Sequence, residues 1–240
     1  MAMFPYDAQL AASVKAPPQS IPGVLGLLQE IDNTCVEADG LKWFNWLYLQ
    51  VTQSVEDRVG AGGFLDPAWL SELDVQFAKL YFNALDAALS GSPCPGSWEA
   101  MLSCRTQNRI SRLQFALAGM NAHINHDLPL AIVATCKVKN VVPQHGTKQY
   151  SDYTAIDGTL DGLIDLAKQT LKVRLLGDPL PAVSHLEDLL AAWDLGAARE
   201  MAWNTAQSVW LDSPAAAKIR MDAIDALTTV IGKALLVPVP

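Results

Sequence analysis

Charge is scarce in this chain: only 18% of its 240 residues are Asp, Glu, Lys or Arg, against roughly 25% in ordinary soluble domains. Half of the residues are hydrophobic and seven are tryptophan, a composition that excludes a disordered or low-complexity chain. Positive charge is scarcer still. Lys and Arg number 17 against 25 Asp and Glu, a formal net charge of −8, which repels a phosphate backbone unless a concentrated basic patch overrides it. The densest basic segment, Lys168 to Arg174, reads as one face of a helix, so nucleic acid is not an expected partner. No run of about 18 apolar residues occurs, and no membrane-spanning helix is expected. The first 19 residues lack both a basic region and an unbroken apolar core, so they do not read as a secretory signal. Cysteine is sparse as well. Cys35, Cys94, Cys104 and Cys136 show no C-x-x-C spacing and are too few to staple a chain of this size, which points to a reduced, cytoplasmic setting. Cys94 sits in a turn-rich run with no His or acid nearby in sequence and is a poor candidate nucleophile. A nucleotide-binding glycine pattern, a nucleophile elbow and zinc-finger spacing are all missing.

What is present is helical punctuation. Ser20-Ile21-Pro22 opens a helix to about Asp32, and Asp39-Gly40 opens a longer one that ends at the glycines 60 to 63. Asp66-Pro67 pairs an N-cap with proline at the first helical position, and the pattern runs on to about Ser90. After the SGSPCPG turn, Ser97 is placed to cap a short helix to about Arg105. Apolar residues recur at near-helical spacing from Asn108 to about Cys136, with Pro129 expected to kink or end that helix just after Asp127 and a continuation to Cys136 left open. Residues 137–149 read as the longest loop. Further helices are expected from about Asp152 to Leu176, from the capping box at Ser184–Glu187 to Leu211, and from Ser213-Pro214 to about Leu236, followed by a short extended tail at 235–239. The expected architecture is an N-terminal extension (1–19) and one all-α domain (20–240) of seven or eight helices around a central, polar-lined helix at about 108–136.

Polar residues interrupt the apolar pattern of that central helix. At about 100° per residue, His123, His126 and Asp127 share one arc, while Asn121 and Asn125 lie on the far side with Gln114. The small residues Ala116, Ala118, Gly119 and Ala122 suit a helix closely surrounded by others. A buried polar group without a partner costs about 1–3 kcal/mol, so such a cluster calls for a reason. The Asn pair suits capping of neighbouring helix ends. The H-x-x-x-D spacing of His123 and Asp127 suits either two ligands of one divalent cation or an imidazole paired to an acid. Elsewhere, Asp74 interrupts the stripe of Leu70, Phe77, Ala78 and Tyr81, and Asn45 shares a face with Tyr48, Leu49 and Thr52. Burial would raise the pKa of Asp74 unless a cation or several donors face it. Trp193, Ala197, Glu200 and Asn204 share a face, beside Arg199 and Trp203; an ordinary solvated face is the competing reading for Arg199 and Glu200. His145 lies in a loop, where it is either an exposed surface residue or a mobile acid, base or third metal ligand. His185 reads as part of a helix start.

The string MNAHINHDLP at 120–129, with DGLKWFNWLYLQVT at 39–52, LDVQFAKLYFNAL at 73–85 and AWD…AR…AW at 192–203, resembles an actinobacterial-type family classed as a domain of unknown function. The resemblance spans nearly the whole chain. It implies a helical domain and singles out the 120–129 segment, but it brings no activity with it. A looser similarity is to the all-α zinc-dependent phospholipase C and nuclease group, matched here by His123, Asp127 and, one residue early, Pro129. That group uses many histidines and an N-terminal Trp for three zinc ions, whereas this chain has four His and begins Met-Ala-Met. The ligand count excludes a trinuclear site and leaves room for one or two divalent ions, zinc or similar.

The leading expectation is an intracellular enzyme acting on a small, partly apolar molecule in a pocket between helices. His123, Asp127 and Asp74 are the metal candidates, and His123, His126 and Asp127 the catalytic ones. Asn45, Tyr48, Tyr81, Asn121, Asn125, Arg199, Trp203 and Asn204 are the candidate binding residues. With a metal the chemistry expected is hydrolysis; without one, proton shuttling in a cyclase or isomerase of specialised metabolism. The non-catalytic competitor is a ligand-binding or scaffold protein with a satisfied polar core network. The sequence leaves the oligomeric state open.

Overall fold

The computed structural model describes residues 4–158, 162 and 194–238, and every regular element among them is helical. In chain order these are α1 (Asp7–Val14), α2 (Ile21–Thr34), α3 (Gly40–Gly60), α4 (Pro67–Ser90), α5 (Gly96–Leu102), α6 (Arg112–Ala122), a π-helical turn (His123–Asp127), α7 (Leu128–Val138), α8 (Lys148–Thr154), α9 (Leu195–Leu211) and α10 (Pro214–Leu235). Since α6, the π turn and α7 form one continuous rod, the described residues hold nine helices, slightly more than the seven or eight expected. The basic segment at Lys168–Arg174, the end of the helix expected to Leu176, the capping box at Ser184–Glu187, His185 and Trp193 all lie outside the described residues.

Most helix starts follow the sequence signals, because a side-chain oxygen satisfies an amide that has no partner within the helix. Ser20 accepts from Gly23, Asp39 from Leu41, Asp66 from Trp69 and Ser213 from Ala216. Ser111 and Gln114 form a reciprocal capping box at α6, so that helix starts at Arg112 rather than Asn108. At α5 the cap comes from another helix. Ser97 does not cap it; instead the Asp225 carboxylate of α10 accepts from the amides of Gly96 (2.8 Å) and Ser97 (3.0 Å). The loop expected over 137–149 shrinks to the stretch between Val138 and Lys148.

Residues 7–14, read from sequence as part of an extension, form a helix that packs on α4 and buries Leu10 and Val14. Asp7 explains the docking. With Asp39 it brackets the buried Arg105 guanidinium, which donates to Asp39 at 2.9 and 2.6 Å and to Asp7 at 2.7 Å. Removing one member of such a group leaves an uncompensated buried charge.

The rod occupies the centre. α3 and α10 pack against α6, α4 and α9 against α7, and α4, α9 and α10 all reach the π turn. Small residues allow this approach: a Cβ at Gly119 would lie 2.4 Å from the Phe44 ring of α3. Gly119→Ala therefore sets a helix-propensity gain of up to ~1 kcal/mol against overpacking that costs ~1–3 kcal/mol. Net destabilisation is expected on urea denaturation. Gly26→Ala, at an exposed α2 position where a Cβ meets nothing within 4 Å, is expected to stabilise.

Candidate functional site

Pro129 has no amide hydrogen, and its ring crowds the carbonyl four residues back. Of the outcomes the sequence left open, a kink or end just after Asp127 or a continuation to about Cys136, the helix takes the continuation and runs on to Val138. It widens on the way: the Leu128 amide bonds to the His123 carbonyl, five residues earlier, and α7 continues beyond. A π turn winds more slowly than an α-helix, which brings adjacent residues closer in angle. Within this turn the neighbours His126 and Asp127 are hydrogen-bonded to each other.

Asp127 is the hub of the site. Its Oδ2 accepts from Trp98 Nε1 (2.8 Å) and His123 Nδ1 (2.9 Å), and its Oδ1 from His126 Nδ1 (2.7 Å). Burial alone would raise the pKa of this carboxyl, but the two imidazoles bonded to it hold it below its ordinary value. An ionised carboxylate only accepts hydrogen bonds, so both histidines present Nδ1–H to it. For His123 this leaves Nε2 as a bare acceptor, buried and without a partner. Burial lowers the pKa of His123 despite the neighbouring acid, so the neutral ring with a free Nε2 lone pair prevails at pH 7. His126 differs: burial opposes protonation there too, but the hydrogen bond and charge of Asp127, helped by Asp225, raise its pKa.

Aromatic rings enclose His123. Phe77 lies flat on it with centroids 3.5 Å apart and an interplanar angle of 5°. Tyr48 meets it edge-on at 4.6 Å, with Phe44 and Trp98 farther out at 5.6 and 5.8 Å. Two small chambers adjoin this group. One, about 60 Å³, is lined by His123, Phe44, Tyr48, Phe77, Met120 and Arg199, among others. The second, about 50 Å³, is lined by Tyr48, Leu70, Asp74, Phe77, Leu128 and Arg199, among others. Asp74 Oδ2 and Tyr48 Oη are buried without hydrogen-bond partners, as is Thr52 Oγ1 one helical turn from Tyr48. Burial, reinforced by the charge of Glu56, pushes the pKa of Asp74 up to about 7.

The structure thus gathers His123, Asp127, Tyr48, Asp74 and Arg199. Asp127 does so as the partner of His123 rather than as an open ligand, since three donors already occupy its oxygens. Asp74 lines the neighbouring chamber rather than joining His123 and Asp127 in one cluster. Among the described residues, no group of three His, Cys, Asp or Glu side chains is arranged to hold a metal ion.

The remaining candidates are engaged in hydrogen bonds and packing. Asn45 donates to the Leu28 carbonyl and accepts from Tyr81, tying α3 to α2 and α4. Asn121 donates to the Thr228 carbonyl in the interior of α10 and accepts from Asn125, so the pair ties the central rod to α10 instead of capping neighbouring helix ends. Trp203 packs edge-on against Trp69 and Tyr150, and Asn204 bonds Glu200 at the surface. Arg199 is held by Asp157 (2.6 Å) and the Tyr153 carbonyl (2.7 Å) while lining both chambers. His145 pairs with Glu200 on the surface. His126 lines neither chamber. The sequence reading missed Trp98 as a donor to Asp127 and Phe77 as the cover of His123. The one hint for Trp98 was that a buried indole needs a partner for its N–H.

The fold and this site define an all-α protein with a buried His–Asp pair backed by an indole. A model of a family of unknown function, DUF5995, matches residues 21–238, and the chain belongs to that family. The chain matches no curated protein and no solved structure. Among the described residues no helix is long and apolar enough to cross a membrane.

The protonation of Asp74 gives a pH signature. The unfolded chain releases this proton near 3.8 and the folded one near 7, so between those values the folded state binds more protons and loses stability as pH rises. Asp74→Asn mimics the protonated acid and escapes that loss. Its advantage over wild type in urea unfolding is expected to grow from pH 4 to pH 7 and then level off, by at most about 4 kcal/mol at 1.36 kcal/mol per unit. Parallel curves for the two proteins would mean that Asp74 is ionised in the fold.

Proposed function

We propose that this protein is an intracellular acid–base enzyme acting on a small, partly apolar molecule admitted beside the π turn. His123 Nε2 is the base, Asp127 fixes its tautomer and stabilises the imidazolium formed on proton uptake, and Tyr48 and Asp74 line the opposite wall. The observation that carries this reading is the bare Nε2. It is a buried acceptor within an aromatic box that lines a chamber, on a ring whose other nitrogen is anchored, an arrangement suited to a general base. Asp74, whose pKa, pushed up to about 7, keeps a large share of it protonated at neutral pH, is a suitable acid for returning the proton. Isomerisation or cyclisation needs no more than such a pair.

Metal-assisted hydrolysis has one feature in its favour: an imidazole backed by a carboxylate is also how metal-ligating histidines are held. His123 would be the ligand, yet no second open ligand accompanies it at the same chamber, so no step is derived through a metal. Metal content well below one equivalent, in protein purified without chelators or a polyhistidine tag, removes that version. The small chambers favour the non-catalytic reading, since each holds only a few waters.

Turnover against panels of small esters, lactones and enolisable ketones separates enzyme from scaffold. His123→Gln is expected to lower kcat/KM by about 10²–10⁴-fold with a small change in Tm. Wild-type kcat/KM is expected to fall on the acid side only below the ordinary imidazole range, because the base works as the neutral ring and its pKa is lowered. A large loss of Tm without any activity to lose would establish the structural network instead.

A further inference from the structure

Tyr48, Val51, Phe77 and Arg199 belong to the walls of both chambers, so a single side-chain displacement joins the two spaces. Phe77 is the residue placed to move. The Phe44 and Tyr48 rings beside His123 are buried at 2% and 4% exposure, whereas Phe77 is half-buried on the outer side of the imidazole. Its ring lies parallel to His123 at 3.5 Å and covers one face of the imidazole, so moving it opens space for a ligand that approaches the Nε2 edge, where the lone pair points. Neither chamber alone, at about 60 and 50 Å³, approaches the ~150 Å³ that accommodates benzene in a protein core. Joined, and with the phenyl ring swung aside, they gain the volume of that ring, which is itself benzene-sized.

The polar atoms set what the ligand must carry. His123 Nδ1 is committed to Asp127, so Nε2 offers only a lone pair and needs a donor. A hydrocarbon would leave that acceptor bare. Across the joined space, Tyr48 Oη and Asp74 Oδ2 are likewise unpartnered and suit a second polar substituent. We propose that the two chambers form one binding site for a flat, single-ring molecule bearing a hydroxyl, which displaces Phe77 from His123 and donates its hydroxyl hydrogen to His123 Nε2. This names the substrate class for the acid–base reading and rests on it only for the choice of site, since binding requires no turnover.

Phenol and toluene are suitable probes, matched in shape and differing in the donor. On the full chain, Phe77→Ala is expected to bind phenol about tenfold more tightly than wild type does, and about tenfold more tightly than it binds toluene, the worth of one hydrogen bond. Adding His123→Leu should erase the preference for phenol. Phe77→Leu serves if the alanine variant does not fold. In wild type, phenol but not toluene should shift the ¹⁵N resonance of His123 Nε2, a measurement that decides the matter if neither Phe77 variant folds. Equal affinity for the two probes, or no response to phenol, overturns the proposal. The acid–base reading would then stand on the His123→Gln turnover alone; conversely, phenol-selective binding with no turnover would retire the enzyme and keep the site.

Discussion

A single buried carboxylate, Asp127, holds fold and site together. At 1% exposure it would be too costly to keep ionised alone, and it is stabilised by three hydrogen-bond donors. Trp98 reaches it from α5, while His123 and His126 come from its own turn. Each donor is constrained in return. The indole anchors the short helix α5 to the central rod, the two imidazoles are fixed in tautomer, and His123 is left with its other nitrogen bare. The same contact that secures the packing of α5 therefore prepares a chemically free imidazole nitrogen in the core.

The π turn favours this contact, and Pro129 accounts for the π turn. The wider turn brings His126 and Asp127 somewhat closer in angle than the about 100° of an α-helix, and both imidazoles reach the same carboxylate. Widening the turn costs regular helix hydrogen bonding, and the cost is offset where the freed geometry is used. Four neighbouring helices position the result: α3 supplies Tyr48 and Phe44, α4 supplies Asp74 and Phe77, α9 supplies Arg199, and α10 braces the far side through Thr228 and Asp225.

Much of the fold was legible because helix starts are written locally. Asp39, Asp66-Pro67, Ser20 and Ser213-Pro214 announce four of them, and the small residues around Gly119 announce a central helix under close packing. What escaped was non-local. α1 docks through Asp7 onto Arg105, a pairing 98 residues apart, and α5 takes its cap from Asp225, 129 residues away from Gly96. No periodicity encodes such partners. The site was half legible for the same reason. The His123–Asp127 pair lies within one turn and was read from spacing, with Asp74 flagged by the apolar stripe it interrupts. Trp98, Phe77 and the π widening depend on tertiary geometry. At Pro129 a kink, an end and a continuation were all open, because the local rule does not say whether five-residue bonding will absorb the proline.

The contrast between satisfied and bare polar atoms locates function better than burial does. Arg105, Asn45, Asn121 and Gln114 are all buried and all find partners: two carboxylates for the first, carbonyls of distant helices for the rest. A chain that completes those networks has the means to satisfy polar groups in its interior. Nine buried side-chain atoms among the described residues are nonetheless left bare, and three of them, on Tyr48, Asp74 and His123, belong to side chains that line the two chambers. At about 1–3 kcal/mol for each unmade bond, that concentration is a large local sacrifice of stability. A purely structural core gains nothing from it, because Phe in place of Tyr48 and Leu in place of Asp74 would suit the same apolar walls. The sacrifice is explained if these atoms are kept for a molecule that enters and completes their hydrogen bonds.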